Sequence, residues 1–274
     1  MRVAITGASG FCGGAVARLA AQEADVVCLG RRPGPVGRHV FWDATSATPD
    51  LAGADVVIHL AAAVGDSGPS EAFAAVNVDG TRRLLEAAGG RPVVWVSSAS
   101  VYRPGPYDGP VREDHPTGNQ RTPYGWTKAA GEKLALGADK VVLRPRAVYG
   151  DGDPHLLPRL RRTVRGNRAW LPGPDVPLSL TAVENLASAC LAAVTWPAGA
   201  YNIADARPYS RDAAITAVLG VPVRHVPIAL ARVAAVVSPN LTPYAIDQVT
   251  DGLVLDIGKA LSRGWSPVAA LRTS

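Results

Sequence analysis

The stretch Thr6-Gly7-Ala8-Ser9-Gly10-Phe11-Cys12-Gly13 joins a short apolar run, Val3 to Thr6, to an Ala-rich run of helical spacing, Gly14 to Gln22. A second apolar run, Val26 to Leu29, follows and predicts a β-α-β unit. The alternation continues through Val56 to Leu60, Glu71 to Ala88, Val93 to Ser97, Pro123 to Leu136 and Val141 to Leu143. Strands that are apolar at consecutive positions belong in a parallel sheet covered on both faces. We therefore predict an α/β fold with a doubly wound parallel sheet.

The glycine spacing of the first turn predicts a phosphate site. The backbone N–H groups of such a turn, and the N-terminus of the helix behind it, can face a pyrophosphate. Gly7 permits the tight turn, Gly10 lets the backbone approach the phosphates, and Gly13 lets the helix pack closely on the strand. The spacing is GxxGxxG rather than GxGxxG, but its place between strand and helix predicts a Rossmann-type dinucleotide site.

The residue composition changes after Tyr149, where Pro and Gly become frequent and the predicted alternation of strand and helix stops. The alternation resumes with Glu184 to Ala193 and Tyr201 to Ala204. We expect a dinucleotide-binding domain formed by residues 1–150, to which 179–204 return. Residues 151–178 and 205–274 are expected to form a smaller C-terminal lobe that binds the substrate.

The end of the second strand indicates which dinucleotide is bound. An NAD site normally places an acidic residue there to bind the adenine-ribose 2′-hydroxyl. This chain instead has Gly30 followed by Arg31 and Arg32, and two guanidiniums can bind a 2′-phosphate. The sequence therefore predicts NADP(H) in preference to NAD(H), although a solvated arginine pair would give the same pattern. Asp43 could accept a hydrogen bond from the adenine amino group, or could simply form a turn.

Tyr124 and Lys128 are a candidate proton-transfer pair. Pro123 suits the first turn of a helix, which places Tyr124 and Lys128 one turn apart on the same face. We expect the ammonium to lower the pKa of the phenol, so that Tyr124 exchanges a proton near neutral pH. The spacing alone occurs often by chance, so its meaning depends on the residues around it.

Those residues include three serines, Ser97, Ser98 and Ser100, at the end of the strand that begins at Val93. The carboxyl ends of the strands in such a sheet line the ligand crevice. With them, the chain resembles the extended short-chain dehydrogenase/reductase family, the NAD(P)-dependent epimerase/dehydratase group. The pieces that carry the resemblance, in family order, are the glycine turn, Val57 to Ala62, Asn77 to Thr81, Ser97 to Tyr102, Tyr124 to Lys128, Leu143 to Pro145 and Val148 to Gly150.

The resemblance implies roles for individual residues. It makes Ser98 the group that binds the reacting oxygen, Tyr124 the acid/base and Lys128 the residue that holds the nicotinamide ribose. Ser97 and Ser100 remain alternatives for the role of Ser98. The residues expected to line the cofactor are Gly7, Gly10, Phe11, Cys12, Gly13, Arg31, Arg32, Asp43, Leu60, Ala61, Ala62, Tyr124 and Lys128. His59 is interpreted as structural or cofactor-lining.

The motifs also rank the reactions. Dehydratases of the family are expected to carry Asp-Glu near the catalytic hydroxyl, where this chain has Ala99-Ser100. Nucleotide-sugar epimerases resemble Arg-Pro-x-Asn-Val-Tyr-Gly, and here Ala147 stands at the Asn position, although Arg146 could still bind a diphosphate. The loop of residues 63–69 is similar to that of ketone reductases. We expect interconversion of a ketone and a secondary alcohol, with nucleotide-sugar epimerisation second and a non-catalytic NADP-sensing regulator third.

Composition excludes several classes. The formal charge of +5 comes from arginines that are mostly scattered, which argues against a nucleic-acid partner. Apolar runs are shorter than the roughly 20 residues of a membrane span. The three cysteines lie far apart in the sequence, which predicts reduced thiols. The first residues of the sequence are typical of a β-strand rather than of a signal peptide, and together the two features favour a cytoplasmic location. We find no ligand cluster for a metal. Apolar faces on 71–88 and 124–136 suit a homodimer.

Overall fold

A computed structural model describes residues 1–65, 67–237 and 242–272. Asp66, which belongs to the reductase-like loop of residues 63–69, lies outside these residues. Among the described residues, no helix is both long and apolar enough to cross a membrane. The same part of the chain brings together no group of three or more His, Cys, Asp or Glu side chains that could hold a metal ion.

Among the described residues, seven strands form one parallel sheet, and seven others form small sheets beside it. The strands are β1 (Arg2–Thr6), β2 (Asp25–Gly30), β3 (Arg38–Phe41), β4 (Val56–His59), β5 (Val93–Val96), β6 (Val141–Pro145), β7 (Val148–Tyr149), β8 (Val164–Arg165), β9 (Arg168–Pro172), β10 (Pro177–Leu178), β11 (Thr181–Ala182), β12 (Gly199–Ile203), β13 (Tyr209–Ser210) and β14 (Val223–Val226). The order in the large sheet is β12-β6-β5-β4-β1-β2-β3, and every pairing is parallel. The prediction of a Rossmann-type parallel sheet is confirmed.

Helices cover both faces of this sheet. They are α1 (Phe11–Ala20), α2 (Ser70–Ala74), α3 (Thr81–Ala88), α4 (Pro123–Gly137), α5 (Leu156–Arg161), α6 (Val183–Ala192), α7 (Arg211–Leu219), α8 (Ile228–Val237), α9 (Pro243–Thr250) and α10 (Gly258–Leu261). Alternate residues of β1 explain the two layers: Val3 and Ile5 belong to the same core cluster as residues of α1 and α6, whereas Ala4 packs in a cluster with Leu84 of α3. Consecutive apolar positions are therefore buried on opposite faces.

Two helices differ from the sequence-based boundaries. The helix after the glycine turn begins at Phe11 rather than Gly14, because the last residues of the motif already form its first turn. The single helix expected over Glu71 to Ala88 is instead α2, a π-helical turn (Ala75–Gly80) and α3. Apolar periodicity does not distinguish a local π-turn from regular α-helix, and such turns often lie at functional sites.

The C-terminal part of the chain contributes to two places. β12 extends the large sheet by pairing with β6, and α6 packs on α1. Strands β8, β9 and β14 form a separate three-stranded sheet, against which α9 packs. This second layer stands over the carboxyl ends of the parallel strands and supplies the far wall of the cleft described next.

Candidate active site

The glycine turn has the shape that a dinucleotide phosphate needs. Gly7 has a positive φ of 70°, and a Cβ there would lie 2.8 Å from the Ala61 nitrogen. A Cβ on Gly13 would lie 2.2 Å from the Gly7 carbonyl oxygen, so only glycine lets α1 approach the turn. Gly10 caps α1 without a side-chain hydrogen bond, which leaves the first N–H groups of the helix for an anion. The residues present therefore fit a dinucleotide.

Thr6 ties the turn to the end of β4. Its Oγ1 accepts hydrogen bonds from the backbone nitrogens of Leu60 (3.1 Å) and Ala61 (3.0 Å) and lies 2.7 Å from His59 Nδ1. Burial lowers the pKa of His59 to about 3, and the Lys128 charge acts in the same direction, so the imidazole is neutral. His59 thus holds Thr6 from within the core.

Tyr124 and Ser98 meet at the carboxyl edge of the sheet. Thr122 caps α4 by accepting a hydrogen bond from Gly125 N (3.1 Å), and Pro123 follows in the first turn. Tyr124 and Ser98 line the same cleft, and the Ser98 hydroxyl lies close enough to the phenol to act on its pKa. Ser98 Oγ also accepts a hydrogen bond from Ser100 N (3.2 Å). Of the three serines, only Ser98 acts on the pKa of the phenol among the described residues.

Tyr124 is a protonated phenol near neutral pH. Burial raises the pKa of Tyr124 to about 12, and the nearby Ser98 hydroxyl opposes this effect without cancelling it. Lys128 carries no charge at the pH where such a phenol titrates, because burial lowers the pKa of Lys128 to about 7. The prediction that Lys128 lowers the pKa of Tyr124 is therefore wrong: desolvation outweighs the pairing of residues one helical turn apart.

Lys128 is held against the strand that carries Ser98. Its Nζ donates to the Val96 carbonyl oxygen (2.6 Å) and lies 3.9 Å from the centroid of the Trp95 ring. A nearby carboxylate, Glu132, raises the pKa of Lys128 but does not offset the burial. The side chain is therefore directed at the sheet edge on which Ser98 follows β5.

A buried ion pair supports the same edge. Ser97 Oγ donates to Glu132 Oε2 (2.5 Å), and Arg144 Nη2 donates to Glu132 Oε1 (2.5 Å). Arg144 Nη1 also donates to Tyr102 Oη (2.9 Å). This pairing engages Ser97, which leaves it unsuited to the role of Ser98. Sequence analysis missed Glu132, although its place one turn beyond Lys128 on the same helix face is a signal for it.

Asn77 contacts α4 and fixes its position. Its Nδ2 donates to Thr127 Oγ1 (2.9 Å) and to the Ala63 carbonyl oxygen (3.0 Å), while its Oδ1 accepts from Ala63 N (2.8 Å). The backbone of α4 comes so close that a Cβ on Gly131 would lie 2.4 Å from the Asn77 carbonyl oxygen. The π-helical turn that contains Asn77 therefore sets the position of the helix that carries Tyr124.

Arg31, Arg32 and Asp43 lie beyond the end of β2. Both arginines are exposed and follow Gly30, whose carbonyl oxygen lies 2.9 Å from His39 Nε2. Asp43 Oδ1 accepts hydrogen bonds from Thr45 N (2.9 Å) and Oγ1 (2.7 Å), and these bonds, more than the Arg31 charge, lower the pKa of Asp43. The turn-forming interpretation of Asp43 therefore describes its contacts in this structure.

One cleft of about 1330 Å³ brings these groups together. This exceeds the upper range of about 1,000 Å³ for small-ligand sites and leaves room for a dinucleotide and a second molecule. All residues predicted for catalysis or cofactor binding line it. Residues from beyond β6 form the far wall, including Arg146, Leu156, Trp170, Leu230 and Ile246. Arg146 is the one among them that the sequence motifs singled out, whereas no sequence pattern marks the other four, because they come from unrelated elements.

Comparison with known proteins assigns this arrangement to a family. The model of the NAD dependent epimerase/dehydratase family matches residues 3–204. A 2-alkyl-3-oxoalkanoate reductase of Stenotrophomonas maltophilia (strain K279a) is 32% identical over 193 residues, 63% of this chain and 58% of the relative. The 4-hydroxy-2-methyl-3-oxo-4-farnesyl-3,4-dihydroquinoline-1-oxide ketoreductase of Stigmatella aurantiaca is 32% identical over 218 residues. This match covers 72% of this chain and 64% of the relative. The chain thus spans about three-fifths of the length of these relatives.

Among solved structures, MoeE5 in complex with UDP-glucuronic acid and NAD superposes with a TM-score of 0.78 at 28% identity. The superposition covers 100% of this chain and 96% of MoeE5. The fold therefore corresponds over the whole chain, including the part beyond the residues that the family model matches.

Proposed function

The chain belongs to the NAD dependent epimerase/dehydratase family and is an NAD(P)-dependent enzyme, and we propose that it interconverts a ketone and a secondary alcohol on a small-molecule substrate, using NADP(H). The observation that carries this proposal is that Tyr124 and Ser98 line the same cleft, with the Ser98 hydroxyl acting on the phenol, and that the glycine turn lines that cleft too. Reductase relatives at 32% identity support the same reaction class.

We propose a role for each residue that is consistent with the contacts of the site. Ser98 donates a hydrogen bond to the substrate carbonyl oxygen and keeps it beside the phenol. Tyr124, whose raised pKa keeps it protonated, gives its proton to that oxygen as negative charge develops there. The Lys128 side chain, at the same edge, would hold the ribose of the cofactor by a hydrogen bond. When bound, a nicotinamide cofactor would supply the hydride for the substrate carbon.

The reaction is tested by following NADPH oxidation with a panel of ketones. Tyr124→Phe should lower kcat/KM for a responsive ketone at least about 100-fold, because it removes the proton donor but not the binding site. Tyr209→Phe is the matched control, since Tyr209 bonds Asp205 outside the cleft and should leave the rate within about twofold. Undiminished turnover by Tyr124→Phe would contradict the mechanism.

We propose NADP(H) as the preferred cofactor because β2 ends at Gly30 and the two exposed arginines beside it line the cleft. NADPH should therefore bind more tightly than NADH. Arg31→Ala and Arg32→Ala should each reduce that difference while leaving NADH affinity unchanged. Equal affinities of the unaltered protein for the two cofactors, measured by calorimetry, would contradict the preference.

Nucleotide-sugar epimerisation is the second candidate, favoured by the likeness to MoeE5 with its bound UDP-glucuronic acid. Ala147 argues against it, because no amide is available at the position where epimerases carry Asn. Incubation with UDP- and dTDP-sugars separates the two candidates. Interconversion of sugars without net cofactor turnover would reverse their order.

We further propose a cytoplasmic homodimer in which residues 151–178 and 205–274 supply the substrate-binding lobe. Three free thiols suit a reducing compartment. Trp126 is 52% exposed on α4, the helix proposed to pair with its copy. Light scattering on the purified protein and on Trp126→Glu tests the dimer: the unaltered protein should be dimeric and the variant monomeric. A monomeric unaltered protein would contradict the dimer.

A further inference from the structure

Arg146 is a buried cation whose guanidinium forms no ion pair with a described residue. It follows directly after β6, lines the cleft and is 8% exposed. Its Nη2 donates to the Gln248 carbonyl oxygen (3.3 Å), whereas Nε is buried and has no hydrogen-bond partner among the described residues. Within the same part of the chain, no carboxylate oxygen lies within 4 Å of its guanidinium nitrogens. A buried charge normally has a partner, since an unpaired one is strongly destabilising.

A second unsatisfied group lies on the same wall. Ser100 Oγ is buried, lines the cleft and has no hydrogen-bond partner among the residues that the structure describes. Ser100 follows Ser98 by two residues, and its backbone nitrogen bonds Ser98 Oγ. The parallel register pairs Val96 with Leu143, so the segments carrying Ser100 and Arg146 leave adjacent strands at the same edge. Two donors without acceptors therefore stand beside the Tyr124–Ser98 pair.

Arg144 shows what a purely structural arginine looks like two residues earlier. It is equally buried, but its guanidinium contacts Glu132, Tyr102 and the Glu113 carbonyl oxygen. Among the described residues, Arg146 has no such ion pair: the charge of Asp251 acts on it, but without a salt bridge. Because the guanidinium stays charged in proteins, the energy of burying it unpaired is recovered when an anion enters the cleft.

We propose that Arg146 and Ser100 form a carboxylate subsite, so that the preferred substrate is an oxo acid whose carboxylate lies a few bonds from the reacting carbonyl. This inference rests on the proposed ketone reduction. The remaining cleft wall is apolar where Leu156, Trp170 and Leu230 line it, which suits a hydrocarbon chain on the same substrate. The substrate class is therefore an amphipathic oxo acid.

The donor set fits a carboxylate better than a diphosphate. One N–H and one hydroxyl match the two oxygens of a carboxylate, whereas a diphosphate carries more charge and usually requires several donors. The charge of Asp251 also acts on Arg146 and would disfavour a second negative group nearby. The subsite is thus suited to a single negative charge.

The test is a binding comparison that needs no turnover. With NADP⁺ bound, calorimetry measures the Kd of 3-hydroxydecanoate and of its methyl ester for the protein. The unaltered protein should bind the acid at least about tenfold more tightly than the ester, as expected for a charge-assisted hydrogen bond. Arg146→Met should bring the ratio of the two Kd values close to one, and Ser100→Ala should reduce it.

Arg165→Met is the matched control. Arg165 also lines the cleft, but it is exposed and its Nη1 bonds the carbonyl oxygens of Arg162 and Val164. Removing it takes away one positive charge without touching the subsite, so the Kd ratio should stay within about twofold. A ratio that falls equally in Arg146→Met and Arg165→Met would reduce the preference to general charge attraction and overturn the proposal.

Stability supplies the second readout. Arg146→Met should leave the melting temperature unchanged or raise it, because it removes an unpaired buried charge, whereas Arg144→Met should lower it. A large loss of stability in Arg146→Met, or equal Kd values for acid and ester in the unaltered protein, overturns the subsite. Tight binding of UDP-glucose to the unaltered protein, if Arg146→Met abolishes it, would also overturn the carboxylate subsite.

The experiments distinguish failure of the carboxylate subsite from failure of the proposed ketone reduction. Reduction of neutral ketones without any preference for the acid would leave the reductase and remove the subsite. A preference for the acid that depends on Arg146, in a protein that reduces no ketone, would keep the subsite and remove the reductase.

Discussion

Replacing Arg144 by Met should destabilise the protein by about 3–5 kcal/mol, the usual effect of breaking a buried ion pair. Both partners are about 4% exposed, and the change removes every guanidinium contact to Glu132 as well as the bond to Tyr102. Glu132 would then keep only the hydroxyl of Ser97 as a partner. At about 2–4 °C per kcal/mol, the melting temperature should fall by roughly 10 °C.

The assay is urea unfolding followed by circular dichroism, applied to three variants. Arg144→Met and Glu132→Leu should each be destabilised alone. The double variant should recover to within about 1–2 kcal/mol of the unaltered protein, because apolar side chains of similar volume replace both charges together. A single substitution that costs less than about 1 kcal/mol, or a double variant no more stable than the single ones, would refute the reasoning.

Three further outcomes follow from the site. Gly13→Ala should weaken cofactor binding at least about tenfold, because its Cβ would overlap the Gly7 carbonyl oxygen, whereas Gly137→Ala, which meets nothing within 4 Å, should not; calorimetry distinguishes them. Folding lowers the pKa of Lys128 from 10.5 to about 7, so the unfolded chain binds more protons between these values. The free energy of unfolding should therefore rise by a few kcal/mol over that window, and not in Lys128→Met, as urea titrations at several pH values would show. Burial raises the pKa of Cys12 to about 12, so this thiol should resist iodoacetamide at pH 8 in the native protein but react in urea, as mass spectrometry would show.

Local patterns predicted the fold well because its strands are apolar at consecutive positions and its turns carry glycine. The resemblance drawn from the motifs is confirmed by the family model over residues 3–204. The residues of the glycine turn and the pair Ser98 and Tyr124 were found because short, ordered motifs encode them. The structure places them on one cleft.

Long-range effects could not be predicted in the same way. The direction of the Tyr124 pKa depends on how completely the phenol is desolvated, and a spacing of four residues carries no information about burial. The partners of Arg144 and the isolation of Arg146 depend on which chains pass nearby in space. The choice between Ser97 and Ser98 likewise needed the position of Glu132.

Strand β12 lies at the rim of the large sheet, where a strand usually separates first when a protein opens locally. Here Asn202 accepts a hydrogen bond from Tyr102 Oη (2.6 Å), and Tyr102 is bonded in turn by Arg144 in the neighbouring strand β6. Local unfolding of β12 therefore requires the hydrogen bonds that link Asn202, Tyr102 and Arg144 in the core to break as well. In hydrogen exchange, amides of β12 should be as protected as those of β5, so the rim and the reaction centre open as one cooperative unit.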